Sequence, residues 1–251
     1  MTPTNLGILT GISYVSGLDY FKGINEKVLA KTPKRYLLSP NPSIVMVSVD
    51  CDAYVQHLNT KSFRKVEEHL LAGVCKLVAA GCDLLVIASN TGHICVPAVE
   101  HQFPELKVLH IADCCALQAK KQGFSKVGLI GTKPIMEEDY LKSRLFRHGV
   151  ETIVPEEEKI QDEIYEIICQ ELSYNVLRDE SRTKMVKAIR GLESHGAQVC
   201  ILGCTEIELL LKQEDVPGLP LLPSAEIHIE AAANVLLGKV KIEDMLPPIE
   251  I

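Results

Sequence analysis

Two short segments of this 251-residue chain carry side chains suited to proton transfer, and each follows an apolar run and opens a predicted helix. They are Ser89-Asn90-Thr91 and Cys204-Thr205-Glu206. A thiol at a helix start meets free N–H groups and a partial positive charge, which lower its pKa, so Cys204 is a candidate base or nucleophile. Ser89 stands at the matching point of the first segment. The pair predicts a two-sided acid/base site.

Each segment also has a plainer explanation. Ser, Asn and Thr are common helix caps, and a cysteine that closes a strand is often a small buried hydrophobe. The matching positions favour function, with Asn90, Thr91 and Thr205 as donors to a substrate carboxylate. His93 and Glu206 lie just inside the two helices, where they either orient groups of the site or form surface pairs.

A glycine turn follows the first apolar run and has a partner in the second half. Gly11 and Ser13 have the residue types of an anion-binding loop, and Gly131-Thr132 repeats the pattern after Lys126–Ile130. We therefore expect Gly11, Ser13 and Thr132 to contact substrate.

No cofactor or metal is predicted, because the turns lack both G-x-G-x-x-G and G-K-[ST]. The residues His110, Asp113, Cys114 and Cys115 are of metal-binding type, yet their spacing fits no common zinc pattern. Chemistry must come from side chains.

The elements that position these residues alternate between short buried strands and helices, which predicts an α/β fold with parallel sheets. The predicted strands are Leu6–Leu9, Ile44–Val49, Leu84–Ala88, Val108–Ile111, Val127–Ile130, Val150–Val154 and Val199–Leu202. The predicted helices are 17–31, 62–80, 113–122, 137–148, 158–173, 181–195, 205–213 and 225–237.

Paired strand ends and paired motifs indicate an internal duplication. We expect two pseudo-symmetric lobes, each a parallel sheet flanked by helices, with the site in the cleft between them. Residues 1–112 plus 212–251 form the first lobe, and residues 113–211 form the second.

Composition narrows the class of partner. A formal net charge of -7 without a basic cluster argues against nucleic acid. No stretch reaches the ~20 apolar residues of a membrane span, and the first residues do not form a signal peptide. The nine cysteines lack C-x-x-C spacing and predict no disulfide framework. We expect a cytoplasmic homodimer that binds a small molecule, with neither nucleic acid nor membrane as partner.

These motifs resemble the aspartate/glutamate racemase family over nearly the full length. The matching segments are Gly7–Gly11 with Tyr20–Asn25, Ser48–Asp50, Gly128–Thr132, Glu171-Leu172 and Leu202–Ile207. Members invert the α-carbon of an amino acid without cofactor, using two cysteines on opposite faces. The resemblance implies that Cys204 is one proton-transfer residue, and His228 matches a family histidine that we assign to the substrate-binding set.

The chain departs from the family pattern at two points. Ser89 replaces the first cysteine, and a hydroxyl is a poor base at neutral pH. Leu222–Ala225 stands where the family commonly has an Asp-Thr pair, so substrate contacts from that loop do not carry over. Some relatives with a hydroxyl residue at the first position still racemise, and single-cysteine relatives decarboxylate malonates.

The sequence therefore predicts a cofactor-independent racemase of aspartate or glutamate. The catalytic residues are Cys204 and Ser89, and the remaining candidates bind substrate: Gly11, Ser13, Asn90, Thr91, Thr132, Thr205, Glu206 and His228. Two alternatives are a single-cysteine decarboxylase or isomerase of a small dicarboxylate, and a ligand-binding protein whose catalysis has lapsed.

Overall fold

The computed structural model describes residues 5–33 and 40–248, which divide into two α/β units. The first unit takes in the described residues up to His110 and those from His228 to Leu246. The second runs from Ile111 to Ile227 and is joined by the described residues from Pro247 onward. The predicted fold class is confirmed.

The first unit is built on a parallel sheet of four strands in the order β2-β1-β3-β4. The strands are β1 (Asn5–Thr10), β2 (Ser43–Ser48), β3 (Leu84–Ile87) and β4 (Lys107–Val108). The helices are α1 (Tyr14–Lys31), α2 (Cys51–Asn59), α3 (Phe63–Ala79) and α4 (Val96–Gln102), and a 3-10 turn spans Thr91–Cys95.

The second unit repeats the plan, with the parallel order β6-β5-β7-β8. Its strands are β5 (Lys126–Gly131), β6 (Glu151–Ile153), β7 (Val199–Gly203) and β8 (Leu221–Pro223). Its helices are α5 (Ile111–Lys121), α6 (Lys133–Glu137), α7 (Asp139–Arg147), α8 (Glu158–Gln170), α9 (Asp179–Ser194) and α10 (Ile207–Leu210); α11 (Ser224–Leu236) begins here and passes into the first unit. Further 3-10 turns are Leu172–Tyr174, Gln213–Asp215 and Ile242–Met245.

Burial explains why the strands read as unbroken apolar runs. Every residue of β3 and β7 is buried, as expected of parallel strands covered by helices on both faces. Helix α3 buries Val66, Leu70 and Val74 on one stripe, at helical spacing. The strand order puts β1 and β3 side by side, as it does β5 and β7, so the turns after these strands emerge at one sheet edge in each unit.

The structure differs from the sequence prediction in four elements. Helices α2 and α6 and strand β8 were not predicted, and the helix expected over 205–213 is reduced to α10. The predicted first lobe took up residues 212–227, which lie in the second unit because β8 pairs with β7. Residues 1–4, 34–39 and 249–251 of that lobe are outside the described residues. Among the helices described, none is long and apolar enough to cross a membrane.

Candidate active site

The Ser89 turn begins directly after β3 and is held by two hydrogen bonds. The backbone N–H of Gly92 donates to Ser89 Oγ at 3.2 Å, and Ser89 O pairs with His93 Nδ1 at 2.7 Å. A carbonyl oxygen only accepts, so Nδ1 of His93 carries the proton. The bond from Gly92 draws electron density from the Ser89 hydroxyl, which makes it better suited to give a proton than to take one.

The predicted donors next to Ser89 are buried. Asn90 and Thr91 are each 4% exposed and open the 3-10 turn that leads into α4. The sequence predicted a helix at this point; the structure has a single 3-10 turn before α4 starts at Val96.

The Gly11 turn follows β1, the neighbour of β3. Gly11 has φ +98°, and a Cβ there would lie 2.3 Å from Val49 O and 2.4 Å from Val49 N. Only glycine fits this close approach of two backbones. Ser13 is the N-cap of α1, and its hydroxyl accepts the N–H of Ser16, so it orients the helix start.

The Cys204 turn follows β7, the third strand of its sheet, as the Ser89 turn follows β3. The Cys204 thiol donates to Glu206 Oε2 at 2.9 Å, and the Thr205 hydroxyl donates to the same oxygen at 2.6 Å. Glu206 is 9% exposed, which rules out the surface-pair interpretation. This carboxylate is therefore placed to take the proton of the thiol.

Burial and the Glu206 carboxylate together raise the pKa of Cys204 well above its ordinary value. The predicted lowering of this pKa by a following helix is wrong. Helix α10 has four residues and starts at Ile207, and an anionic side chain is nearer to the sulfur than any helix dipole of useful length. Cys204 thus rests as a thiol, and a base must deprotonate it before it accepts a proton.

Two glycines fix where the second pair of turns leaves the sheet. Gly131 of β5 and Gly203 of β7 are register partners, and a Cβ on either one would lie 2.9 Å from a carbonyl oxygen of the other strand. Thr132 and Cys204 follow them directly. The sequence prediction paired the Gly131-Thr132 turn with the Gly11 turn and the Cys204 segment with the Ser89 segment, and the members of each pair follow corresponding strands of the two sheets.

His228 has a structural position. It is 0% exposed, its Nε2 pairs with Leu109 O at 2.8 Å, and its Nδ1 pairs with the Tyr20 hydroxyl at 2.9 Å. Both ring nitrogens are occupied by groups of the first unit, so the assignment of His228 to the substrate-binding set is corrected. Sequence analysis gave Tyr20 no role of its own, because no local pattern ties it to a histidine 208 positions away.

Asp113, one of the metal-binding residue types, is committed to an ion network. Its carboxylate accepts two-pronged hydrogen bonds from Arg144 and a further bond from His148 at 2.9 Å. In the described part of the chain, no group of three or more His, Cys, Asp or Glu residues is arranged to hold a metal ion.

Comparison with known proteins identifies the family. The model of the Asp/Glu/Hydantoin racemase family matches residues 9–232. The chain belongs to the Asp/Glu/hydantoin racemase family.

Solved structures support this assignment. A candidate Asp/Glu racemase from Yersinia pestis is 32% identical, with 93% of this chain and 99% of that chain covered and a TM-score of 0.83. An aspartate racemase homologue from Pyrococcus horikoshii is 29% identical over 93% and 99% of the two chains, with a TM-score of 0.76. The glutamate racemase of Francisella tularensis is 15% identical over 100% and 86%, with a TM-score of 0.67, and shares the fold. Family membership supports amino-acid racemase activity.

Proposed function

We propose that this racemase acts on an acidic amino acid, aspartate or glutamate, without a cofactor, and that Cys204 and Ser89 exchange protons with opposite faces of the α-carbon. The observation that carries the proposal is the matched placement of the two residues. Ser89 is the second residue after β3 and Cys204 is the first residue after β7, and these are corresponding strands of two sheets with the same strand order, in a chain of a racemase family.

The bonds of Glu206 suggest how the cycle begins. The S–H proton passes to Glu206 Oε2, and the thiolate then removes the α-hydrogen, whose bonding electrons pass into the substrate carboxylate. Ser89 gives its hydroxyl proton to the opposite face and recovers one from water, and protonated Glu206 then gives its proton to the hydroxide that is left. Donors at the buried Asn90 and Thr91 and at the partly buried Thr132, with the backbone at Thr205, would stabilise the charge that develops on the carboxylate.

In the reverse direction Ser89 must remove the α-hydrogen, and this is the difficult step of the scheme. A serine hydroxyl is a poor base near neutral pH, whereas a thiol with a carboxylate beside it can serve as both acid and base. The hydroxyl still serves as a donor, because its oxygen accepts the Gly92 N–H, which favours loss of the O–H proton.

The test is to incubate the purified protein in heavy water with single enantiomers of common amino acids. The expected result is deuterium at the α-carbon of aspartate or glutamate, with the opposite enantiomer appearing and no carbon dioxide released. Release of carbon dioxide from a malonate without racemisation would identify a decarboxylase. Binding without exchange would identify a ligand-binding protein.

A further inference from the structure

Four buried aromatic residues of the first unit form a connected group behind the Ser89 turn. His93 and His228 are 0% exposed, His110 is 3% exposed and Tyr20 is 0% exposed. The ring centroids of His93 and His110 are 4.5 Å apart, those of His93 and His228 are 5.7 Å apart, and those of His228 and Tyr20 are 5.5 Å apart. We call this group the ring cluster.

The hydrogen bonds of the cluster fix two ring protons. His93 Nδ1 faces the carbonyl of Ser89, and His228 Nε2 faces the carbonyl of Leu109, so these two nitrogens must be donors. The proton is therefore on Nδ1 in His93 and on Nε2 in His228. A flip of either ring would break its hydrogen bond to a backbone carbonyl.

The cluster joins elements that are far apart in sequence. Tyr20 lies on α1, His110 follows β4 and His228 lies on α11, while His93 lies within the turn that Ser89 starts. Through His93, the other three rings are therefore connected to the backbone carbonyl of Ser89 in the candidate site.

The fold does not demand a histidine at this place. In the second unit the position four residues after Cys204 is Glu208, whose carboxylate accepts the N–H of Ala225. Buried imidazoles cost desolvation that an apolar side chain would avoid. Of these two turns, only the Ser89 turn has a buried histidine at this position. This difference suggests that the histidine has a role at Ser89.

We propose that His93 is a positioning residue for proton transfer at Ser89, and that His110, His228 and Tyr20 hold its ring in the orientation this requires. The bond from His93 fixes the Ser89 backbone, and the adjacent Gly92 N–H fixes the hydroxyl oxygen. The two neighbouring residues thus determine where the Ser89 proton points. This inference rests on the proposed function.

Two variants separate positioning from packing. His93→Asn keeps an N–H donor near the Nδ1 position, and His93→Leu removes the donor while filling much of the volume. The readout is the ratio of inversion to α-deuteration with retention. Cys204 alone can remove a proton and return a deuteron to the same face, whereas inversion needs Ser89 as well.

We expect His93→Leu to lower this ratio by about tenfold to a hundredfold through kcat, because misplacing a reacting group by about 1 Å costs that order in rate. His93→Asn should keep a ratio within about threefold of the wild type, and exchange with retention should persist in both. His101→Leu, at an exposed histidine of α4, serves as the control and should leave the ratio unchanged. Equal loss of inversion and of exchange with retention would mean a packing defect and would overturn the proposal.

Two further measurements keep the inference testable if His93→Leu does not fold. Tyr20→Phe removes one hydroxyl from the far end of the cluster and should lower the ratio in the same direction by a smaller factor. Nitrogen-15 spectra of the histidine rings should find the proton on Nδ1 of His93 and on Nε2 of His228; a bare Nδ1 in His93 overturns the proposal. If the wild-type protein shows no α-exchange, the proposed function is overturned, and the positioning role of His93 with it. If exchange occurs but the ratio is unaltered in both His93→Leu and Tyr20→Phe, only the role of His93 is overturned.

Discussion

The Ser89 turn and the Cys204 turn leave equivalent strand ends, yet the hydrogen bonds within them have opposite polarity. Ser89 Oγ accepts a backbone N–H, and its carbonyl is bound by a histidine. The Cys204 thiol donates to a carboxylate. One duplicated plan has thus produced one residue prepared to give a proton and another paired with a base that can deprotonate it. Equivalent position does not imply equivalent chemistry.

Loss of the thiol should have the largest effect, because Cys204 is the member of the pair that has a base beside it. Cys204→Ala should lower α-proton exchange by about 1,000-fold, equivalent to about 4 kcal/mol in the barrier. The comparison variant is Cys200→Ala, which removes a buried thiol from β7, the strand that precedes Cys204. If Cys204→Ala keeps its exchange rate within about tenfold of the wild type, the second unit does not supply the principal proton-transfer group.

Removing the neighbouring carboxylate should change both the rate and the pH at which activity appears. Glu206→Gln removes a negative charge that raises the pKa of Cys204, so the alkaline inflection of kcat/KM should move to lower pH. Its kcat at neutral pH should fall by about a hundredfold, because the proton acceptor is gone.

Glu208→Gln, two residues farther on, provides the matched control for that charge. Its carboxylate accepts a backbone N–H from Ala225, so the inflection should stay where it is in the wild type. An inflection that does not move in Glu206→Gln would assign the pH dependence to another group.

Ser89 tests the asymmetry directly. Exchange should be faster for the enantiomer whose α-hydrogen faces Cys204, and Ser89→Cys should accelerate the slower enantiomer most, by about tenfold, if base strength limits it. Initial rates of deuterium incorporation into each pure enantiomer measure this. Equal rates for both enantiomers, unchanged by Ser89→Cys, would mean that Ser89 is not the second proton-transfer residue.

The smallest effect concerns the free energy of unfolding at high pH, which a buried thiol in each unit should lower by a similar amount. Burial raises the pKa of Cys95 and of Cys200 to about 12 from 9.0. The thiol form is favoured in the folded state, so its contribution is complete below pH 9 and is lost as pH rises toward 12. Each such thiol should lower the free energy of unfolding by about 1.4 kcal/mol per pH unit in that window.

Urea unfolding between pH 7 and pH 11 measures this slope. Cys95→Ala and Cys200→Ala should each reduce it by a similar amount, one from each unit. A slope that neither variant reduces would mean that these thiols titrate alike in the folded and unfolded chains.

Much of the fold could be predicted from sequence, because parallel strands buried on both faces leave short apolar runs such as Leu84–Ile87 and Val199–Gly203. Strand β8 was missed because three residues that include a proline give no such signal. Helix α2 was missed because it buries only Tyr54 and Leu58 and is otherwise polar.

The sequence predicted the location of the candidate site better than the protonation chemistry of its residues. Sequence placed Ser89 and Cys204 at strand ends, but the pKa of Cys204 depends on a carboxylate two residues later that turns back to the sulfur. The Glu206 carboxylate is held by hydrogen bonds from the Cys204 thiol and the Thr205 hydroxyl, which a sequence does not display. Likewise, the role of His228 is decided by Tyr20 and Leu109, which are distant in sequence.

The bond between His228 and Leu109 also bears on how the chain could be divided. Because His228 Nε2 lies 2.8 Å from Leu109 O, the two ends of the first unit that flank Ile111–Ile227 are neighbours. Residues 111–227 of the second unit are therefore inserted between two segments of the first unit whose ends already lie close together. A short linker from His110 to His228 could replace this insertion, and Ser89 and Cys204, the proposed proton-transfer residues, would then lie on separate chains.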